Sequence, residues 1–158
     1  MKKLLCAALC CALLLSFAAG ESAYEQIEMA STLEEITLLF GEGELVGEYL
    51  AFGDALCAFY ESGRLTAKSL SYEDVREKAA MTQADFAKVR DFREGALLSN
   101  LTDILGPGTE IMRMNLSDED NAGQRMLLAW QNESGGVLEA LFELDAGEWI
   151  LFAIGEIA

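Results

Sequence analysis

Carboxylates are the only abundant groups in this sequence able to hold a metal or move a proton: 27 Asp and Glu stand against 11 Lys and Arg, with no His. Without an imidazole, neither a Ser/His/Asp nor a Cys/His catalytic arrangement can be built, and the commonest general base near neutral pH is missing. The densest run of oxygen donors, Asp118-Glu119-Asp120-Asn121-Ala122-Gly123, has the flavour of a calcium loop. Ala122 stands where a ligand is needed, however, and the twelfth position is Ala129 instead of Glu. The run reads as an acidic hairpin turn. A carboxylate pair could run a small hydrolase of the glycosidase kind, and 27 acids guarantee close pairs. No stretch suggests a deep pocket, so an acidic surface is the simpler reading. The triplets at Asn100, Asn115 and Asn132 would matter only in a eukaryotic secretory pathway. No cofactor is expected. A formal charge of −16 also argues against nucleic acid, whose phosphates are bound by Lys and Arg clusters.

Residues 1–20, MKKLLCAALCCALLLSFAAG, have a basic start, an apolar run and small residues at the end. This is the pattern of a secretory signal. A membrane anchor is the alternative, but Leu4 to Gly20 is barely the ~17 residues a spanning helix needs. Cleavage near Gly20 would leave a chain starting at Glu21, with a second possible cut before Ala19. Cys10 and Cys11 lack the Leu three residues earlier that a lipid-modified cysteine needs. Removing the signal takes Lys2, Lys3, Cys6, Cys10 and Cys11 with it, so Cys57 remains alone and no internal disulfide can form. Inside the apolar run ALCAFY, Cys57 is expected to be buried and inert. The acidic exported chain is of one-domain size, and its charge disfavours anionic membranes.

The elements that must position any site come in an ordered duplication. LEEITLLFGEG (33–43) aligns without gaps on LSNLTDILGPG (98–108): Leu33, Thr37, Gly41 and Gly43 match Leu98, Thr102, Gly106 and Gly108. Apolar residues at this spacing, followed by Gly, predict a short amphipathic helix with a left-handed cap in each copy. Thr32 and Glu35 supply a capping box for the first. Tyr24 and Ile27 stand at the same offset as Val89 and Phe92, which implies a preceding helix in each half, the second opened by Thr82 and Asp85. After each Gly-x-Gly the period becomes two, predicting strands near 44–52, 55–61 and 64–70, then 109–116, 124–131, 137–144 and 148–154. YLAF (49–52) matches LLAW (127–130). A helix from Tyr72 to Ala80 links the halves, which run 21–80 and 81–158.

This arrangement resembles the β-lactamase inhibitor protein family and the related small outer-membrane assembly lipoproteins. In them a helix pair, a Gly turn, an aromatic strand and a strand ending near Phe-x-x-x-Gly form the unit. The aromatic strand stands here as Leu50-Ala51-Phe52 and Leu128-Ala129-Trp130, and the turn as Gly41-Glu42-Gly43 and Gly106-Pro107-Gly108. The two disulfides of the secreted inhibitors and the lipid-anchor cysteine of the lipoproteins are absent. The resemblance implies an α+β fold of two tandem helix-helix plus antiparallel β-meander repeats, with helices packed on one face of a continuous sheet. It also implies a binding surface on the other face, in an exported or bacterial-envelope protein.

Alternation assigns the faces. Leu138, Ala140, Phe142 and Leu144 should face the helices, with Trp149, Leu151 and Ala153 on one side of the last strand and Ile150, Phe152 and Ile154 on the other. Cys57 and Phe59 face the core, while Leu56, Ala58 and Tyr60 face outward. The expected binding residues are therefore Tyr60, Leu141, Ile150 and Phe152, among acidic neighbours. Trp130 is added as the aromatic of its strand, its face left open because both sides of 124–131 are apolar. The alternative is that loops or a second copy of the chain cover this face. The favoured reading is a secreted, non-catalytic protein that binds another exported protein as inhibitor, assembly factor or sensor; the rival is the two-carboxylate hydrolase. The exported form is expected to begin at or near Glu21 and to carry no lipid. Intact mass checks this, and a retained Met1 or a diacylglycerol adduct would refute it.

Overall fold

The computed structural model of the chain describes residues 22–119 and 123–157; the expected export signal and Asp120 to Ala122 of the acidic turn lie outside them. The first helix among the described residues, α1, is the single turn Ala23–Gln26, N-capped by Ser22. It is shorter than the sequence implies because Ile27 already turns extended, and one turn is enough to bury Tyr24 and Ile27 together. Helix α2 (Leu33–Phe40) starts at the expected capping box, with the Thr32 N–H donating to the Glu35 carboxylate at 2.9 Å. It stops at Gly41, whose φ of 84° only glycine adopts without strain. Helix α3 (Tyr72–Lys78) is N-capped by Ser71, and α4 (Leu98–Leu105) ends at Gly106 with φ 80°. The element expected ahead of α4 is only a 3-10 turn, Phe86–Lys88, capped by Asp85.

The strands are β1 (Glu44–Val46), β2 (Tyr49–Phe52), β3 (Ala55–Phe59), β4 (Leu65–Leu70), β5 (Ala80–Thr82), β6 (Thr109–Asn115), β7 (Gln124–Asn132), β8 (Val137–Asp145) and β9 (Glu148–Ile157). The expected strand 44–52 is split by a two-residue turn at Gly47-Glu48, with Gly47 at φ 63°. All pair into one sheet in the order β1-β2-β3-β4-β6-β7-β8-β9. Each neighbouring pair on this path is antiparallel, including the β4·β6 seam, where Lys68 stands opposite Arg113. β5 was not legible: three residues after a helix carry no period. It runs parallel to Trp130–Asn132, taking the edge of β7 beyond the point where β6 ends at the Thr109–Ala129 pair. No helix among the described residues is long and apolar enough to cross a membrane.

The fold is α+β with two apolar clusters. One gathers Tyr24, Ile27, Ile36, Phe52, Cys57 and Leu65, with Leu33, Phe40 and Phe59 half-buried against it. The other gathers Leu101, Leu105, Met126, Trp130, Leu138, Phe142 and Leu151. Cys57 is fully enclosed, and burial pushes its thiol up to about 11, as expected for an inert cysteine. Asp54, in the β2–β3 turn, ties α1 and α3 to the sheet: it accepts from the Ser22 hydroxyl at 2.6 Å, the Tyr24 N–H at 3.0 Å and the Lys78 ammonium. Burial alone would raise this carboxyl, but the three donors outweigh it and hold Asp54 at about 2.

Two glycines fix how helices meet strands. A Cβ on Gly43 would lie 2.7 Å from the Phe52 ring, and one on Gly108 would lie 2.6 Å from the Trp130 ring. Each aromatic therefore rests on backbone that has no room for a side chain. Gly43→Ala and Gly108→Ala should each cost about 1–3 kcal/mol through displaced rings. Gly155→Ala, whose new methyl meets open space, should stay within about 0.5 kcal/mol. Denaturant midpoints of the three variants check this, and equal losses would refute it.

Candidate binding face of the sheet

Side chains alternate along a strand, and register partners share a face, so the pairings sort the sheet into two sides. On one side Met126, Phe142 and Leu151 stand in one row, with Leu128 and Ala140 in the next, and all are buried in the cluster that includes Leu101 and Leu105 of α4. On the other side Leu56, Ser69, Met112, Leu127, Leu141 and Ala153 form a row that crosses from β3 to β9. The first five are half-buried and Ala153 is exposed. The next row holds Ala58, Ala67, Met114, Arg125, Glu143 and Ile150. This face closes at one end. Ala129 and Val137 belong to it by register yet are buried, in the same cluster as Val75 and Ala79 of the linking helix α3.

Leu141, Ile150 and Phe152 come together here. A β-bulge lets Leu151 pair with Phe142 and Ala153 with Leu141, leaving Phe152 as the extra residue. Phe152 is 43% exposed, and the Arg125 guanidinium lies over its ring, 4.2 Å from the centre. Arg125 is held in that place by Glu143, whose Oε2 accepts from its Nε at 2.9 Å and its Nη2 at 2.8 Å. Ile150, Phe152 and Glu143 line a shallow cavity of about 230 Å³. The bulge also corrects the simple alternation: Ala153 moves to the open side, and Ile154, opposite Ala140, moves to the packed one.

Two expected site residues fall elsewhere. Trp130 is 0% exposed, its indole N–H donating to the Gly106 carbonyl at 3.0 Å, so it belongs to the core and offers nothing to a partner. Tyr60 lies at the far end of β3, five strand spacings from β9, or roughly 24 Å at ~4.8 Å each. It is half-buried, and its hydroxyl donates to the Asn115 carbonyl at 3.0 Å. It shares the sheet with Phe152 without joining its cluster. Met112, Met114, Arg125 and Leu127 were missed, because the bulge at Ile111 interrupts the alternation of β6 and both sides of β7 look apolar. The acidic turn is tied to the β3–β4 connection: Asp118 accepts from the Ser62 hydroxyl at 2.9 Å. Among the described residues no group of three or more Cys, Asp or Glu side chains converges to hold a metal.

Among the described residues no hydrogen bond or ion pair reaches the Glu139 carboxylate on the open face. Glu139 stands between Ala129 and Gly155, and burial raises its pKa. No family model matches the chain, and no curated protein does. A raised folded-state pKa means that Glu139 favours the fold when protonated and opposes it once pH passes the ordinary carboxylate range. Glu139→Gln should therefore raise the thermal midpoint at about pH 7 and leave it unchanged at about pH 3. Calorimetry at the two pH values checks the sign; a lower midpoint at neutral pH would show that Glu139 has a stabilising partner.

Proposed function

We propose that the chain is an exported, non-catalytic binding protein that engages another exported protein through the open face of its sheet, as an inhibitor, assembly factor or sensor. The observation that carries this reading is the row Met112, Leu127 and Leu141, apolar across β6 to β8 and continued through Ser69 to Leu56. It is left half-covered and is flanked by exposed Phe152 and by the unpaired carboxylate of Glu139. An aromatic anchor, an aliphatic centre and charged edges are the anatomy of a protein interface. The partner should present basic groups, because the chain is strongly acidic and Arg125 is already neutralised by Glu143.

In the same reading the fold is a tandem duplication, of the kind seen in the β-lactamase inhibitor proteins and outer-membrane assembly lipoproteins, with its main helices on the face opposite the site. Equivalent contacts in the two halves support this. Gly43 meets Phe52 as Gly108 meets Trp130, and Gly41 ends α2 as Gly106 ends α4. The N-cap Thr32 bridges to Arg64, next to β4, as the N-cap Leu97 bridges to Ile150 in β9.

Capture from culture supernatant with the exported chain, identified by mass spectrometry, supplies the partner, and two substitutions then test the face. Phe152→Ala should weaken that partner by more than about 1 kcal/mol while changing folding stability by less. Phe142→Ala, in the core, should cost about 3–5 kcal/mol of stability with affinity per folded molecule unchanged. If Phe152→Ala mainly unfolds the protein and spares affinity, the face is structural and the reading fails.

A further inference from the structure

The sheet ends differently at its two edges. β1 is three residues long, and strands that short are a common way to blunt an edge. β9, at the other edge, has ten. The pairing shows which of its backbone groups point outward. Successive residues of β8 turn their N–H and C=O groups alternately to β7 and to β9, so Phe142, Ala140 and Leu138 share one direction. Leu151 is opposite Phe142 and directs its groups away from β8, accepting from the Gly95 N–H at 2.9 Å and donating to the Ala96 carbonyl at 2.7 Å. Ile154 and Glu156, opposite Ala140 and Leu138, therefore point theirs outward as well. Among the described residues no hydrogen bond meets those groups, and Phe152, Ala153, Gly155 and Glu156 are exposed. Residues 152–156 contain neither Lys nor Pro, the usual guards of an edge.

On the open side this stretch of β9 offers only small residues. Ala153 stands beside Leu141 and Gly155 beside Glu139, and a Cβ on Gly155 would meet nothing within 4 Å. A strand added outside β9 would set its own open-side residues opposite Ala153 and Gly155, two spacings of ~4.8 Å from Leu141 and Glu139. With nothing on Gly155 to block it, a Lys or Arg there extends across the glycine to the Glu139 carboxylate, which no hydrogen bond or ion pair among the described residues meets. An aliphatic side chain opposite Ala153 reaches Leu141 in the same way. Resting on the reading of the open face as a protein interface, we propose that the partner docks by adding an extended segment to the β9 edge. Its backbone bonds to Ile154 and Glu156, a basic residue lies opposite Gly155, and an aliphatic residue two positions away lies opposite Ala153. Main-chain bonds supply affinity in this mode, and alternate side chains supply specificity. A second copy of the chain fits poorly, because its own β9 has no basic residue and each chain carries a formal charge of −16.

The test is titration of the chain with the peptide acetyl-Thr-Val-Thr-Lys-Thr-Val-Thr-amide, whose Val, Lys and Val share one face in either strand direction. NMR on the backbone amides of Ile154 and Glu156 reads it. Saturable shifts and slowed hydrogen exchange at both amides are expected, with a dissociation constant of about 1 mM or tighter. Glu139→Gln, and Gly155→Val, which sets a side chain between the peptide and Glu139, should each weaken binding about tenfold. Glu156→Pro deletes an outward N–H and no bond of the sheet, and should weaken it by at least as much; if that variant does not fold, the other two decide. No saturation at about 5 mM overturns the proposal. So does equal binding of the peptide with Glu in place of Lys, or undiminished binding to Glu156→Pro, which would put the peptide on the face instead of the edge. The face reading keeps its own test: if Phe152→Ala weakens the captured partner while Glu156→Pro and Gly155→Val do not, strand addition alone fails.

Discussion

Two aromatic rings lying on bare glycine backbone set the geometry on which the rest of the structure depends. Phe52 occupies the space a Cβ on Gly43 would need, and Trp130 does the same at Gly108. For either ring to sit there, the helix before it must end within a few residues, which Gly41 and Gly106 achieve with positive φ. The Trp130 indole N–H then fastens the turn by donating to the Gly106 carbonyl. Helix end, turn path and strand position are thereby one constraint. Once Trp130 faces the packed side, the pleat sends Leu128 and Met126 with it and commits Leu127 and Arg125 to the other. The open face is in this sense a consequence of where one indole ring lies.

Bulges then adjust what the pleat would otherwise dictate. A strict alternation along β9 would carry Ile154 to the open side with Ile150 and Phe152. The extra residue at Phe152 instead returns Ile154 to the second cluster and puts Ala153 beside Leu141. A small residue next to Leu141 leaves the apolar row low, while the Phe152 ring stands free beneath the Arg125 guanidinium. Removing the bulge would expose Ile154 and return Ala153 to the packed side.

What could be read from residues alone follows the same physics. α2 was legible from its Thr32 and Glu35 capping box to Gly41, and α4 by its period of 3.6 and its Gly106 end but not at its start, which has no side-chain cap; Leu138, Ala140 and Phe142 were legible as core because their strand alternates without interruption. The sidedness of Trp130 was not, since Leu127, Ala129 and Leu128 make both sides of β7 apolar. Ala129 is buried on its own side, where Val75 and Ala79 of α3 join its cluster. β5 was not legible either, because its reason for being a strand is the vacant edge of β7, a tertiary fact. Of the candidate site, Leu141, Ile150 and Phe152 followed from alternation. Arg125 did not, because its place depends on Glu143 across the strand pair and on the ring it covers.

Charge is taken out of water on both sides of the sheet. At the seam, Lys68 and Arg113 stand directly opposed with Glu110 beside Arg113; on the open face, burial raises the pKa of Glu139, and among the described residues no hydrogen bond or ion pair meets it. Neither is needed to fold the chain, since apolar residues at these positions would remove a desolvation cost instead of adding one. Chains that fold well agree with local rules nearly everywhere, and their exceptions gather where something other than folding selects the residue. The clusters around Phe142 and Cys57 offset these costs by apolar burial alone. A basic group brought to the open face would meet Glu139 and offset the cost of burying its charge.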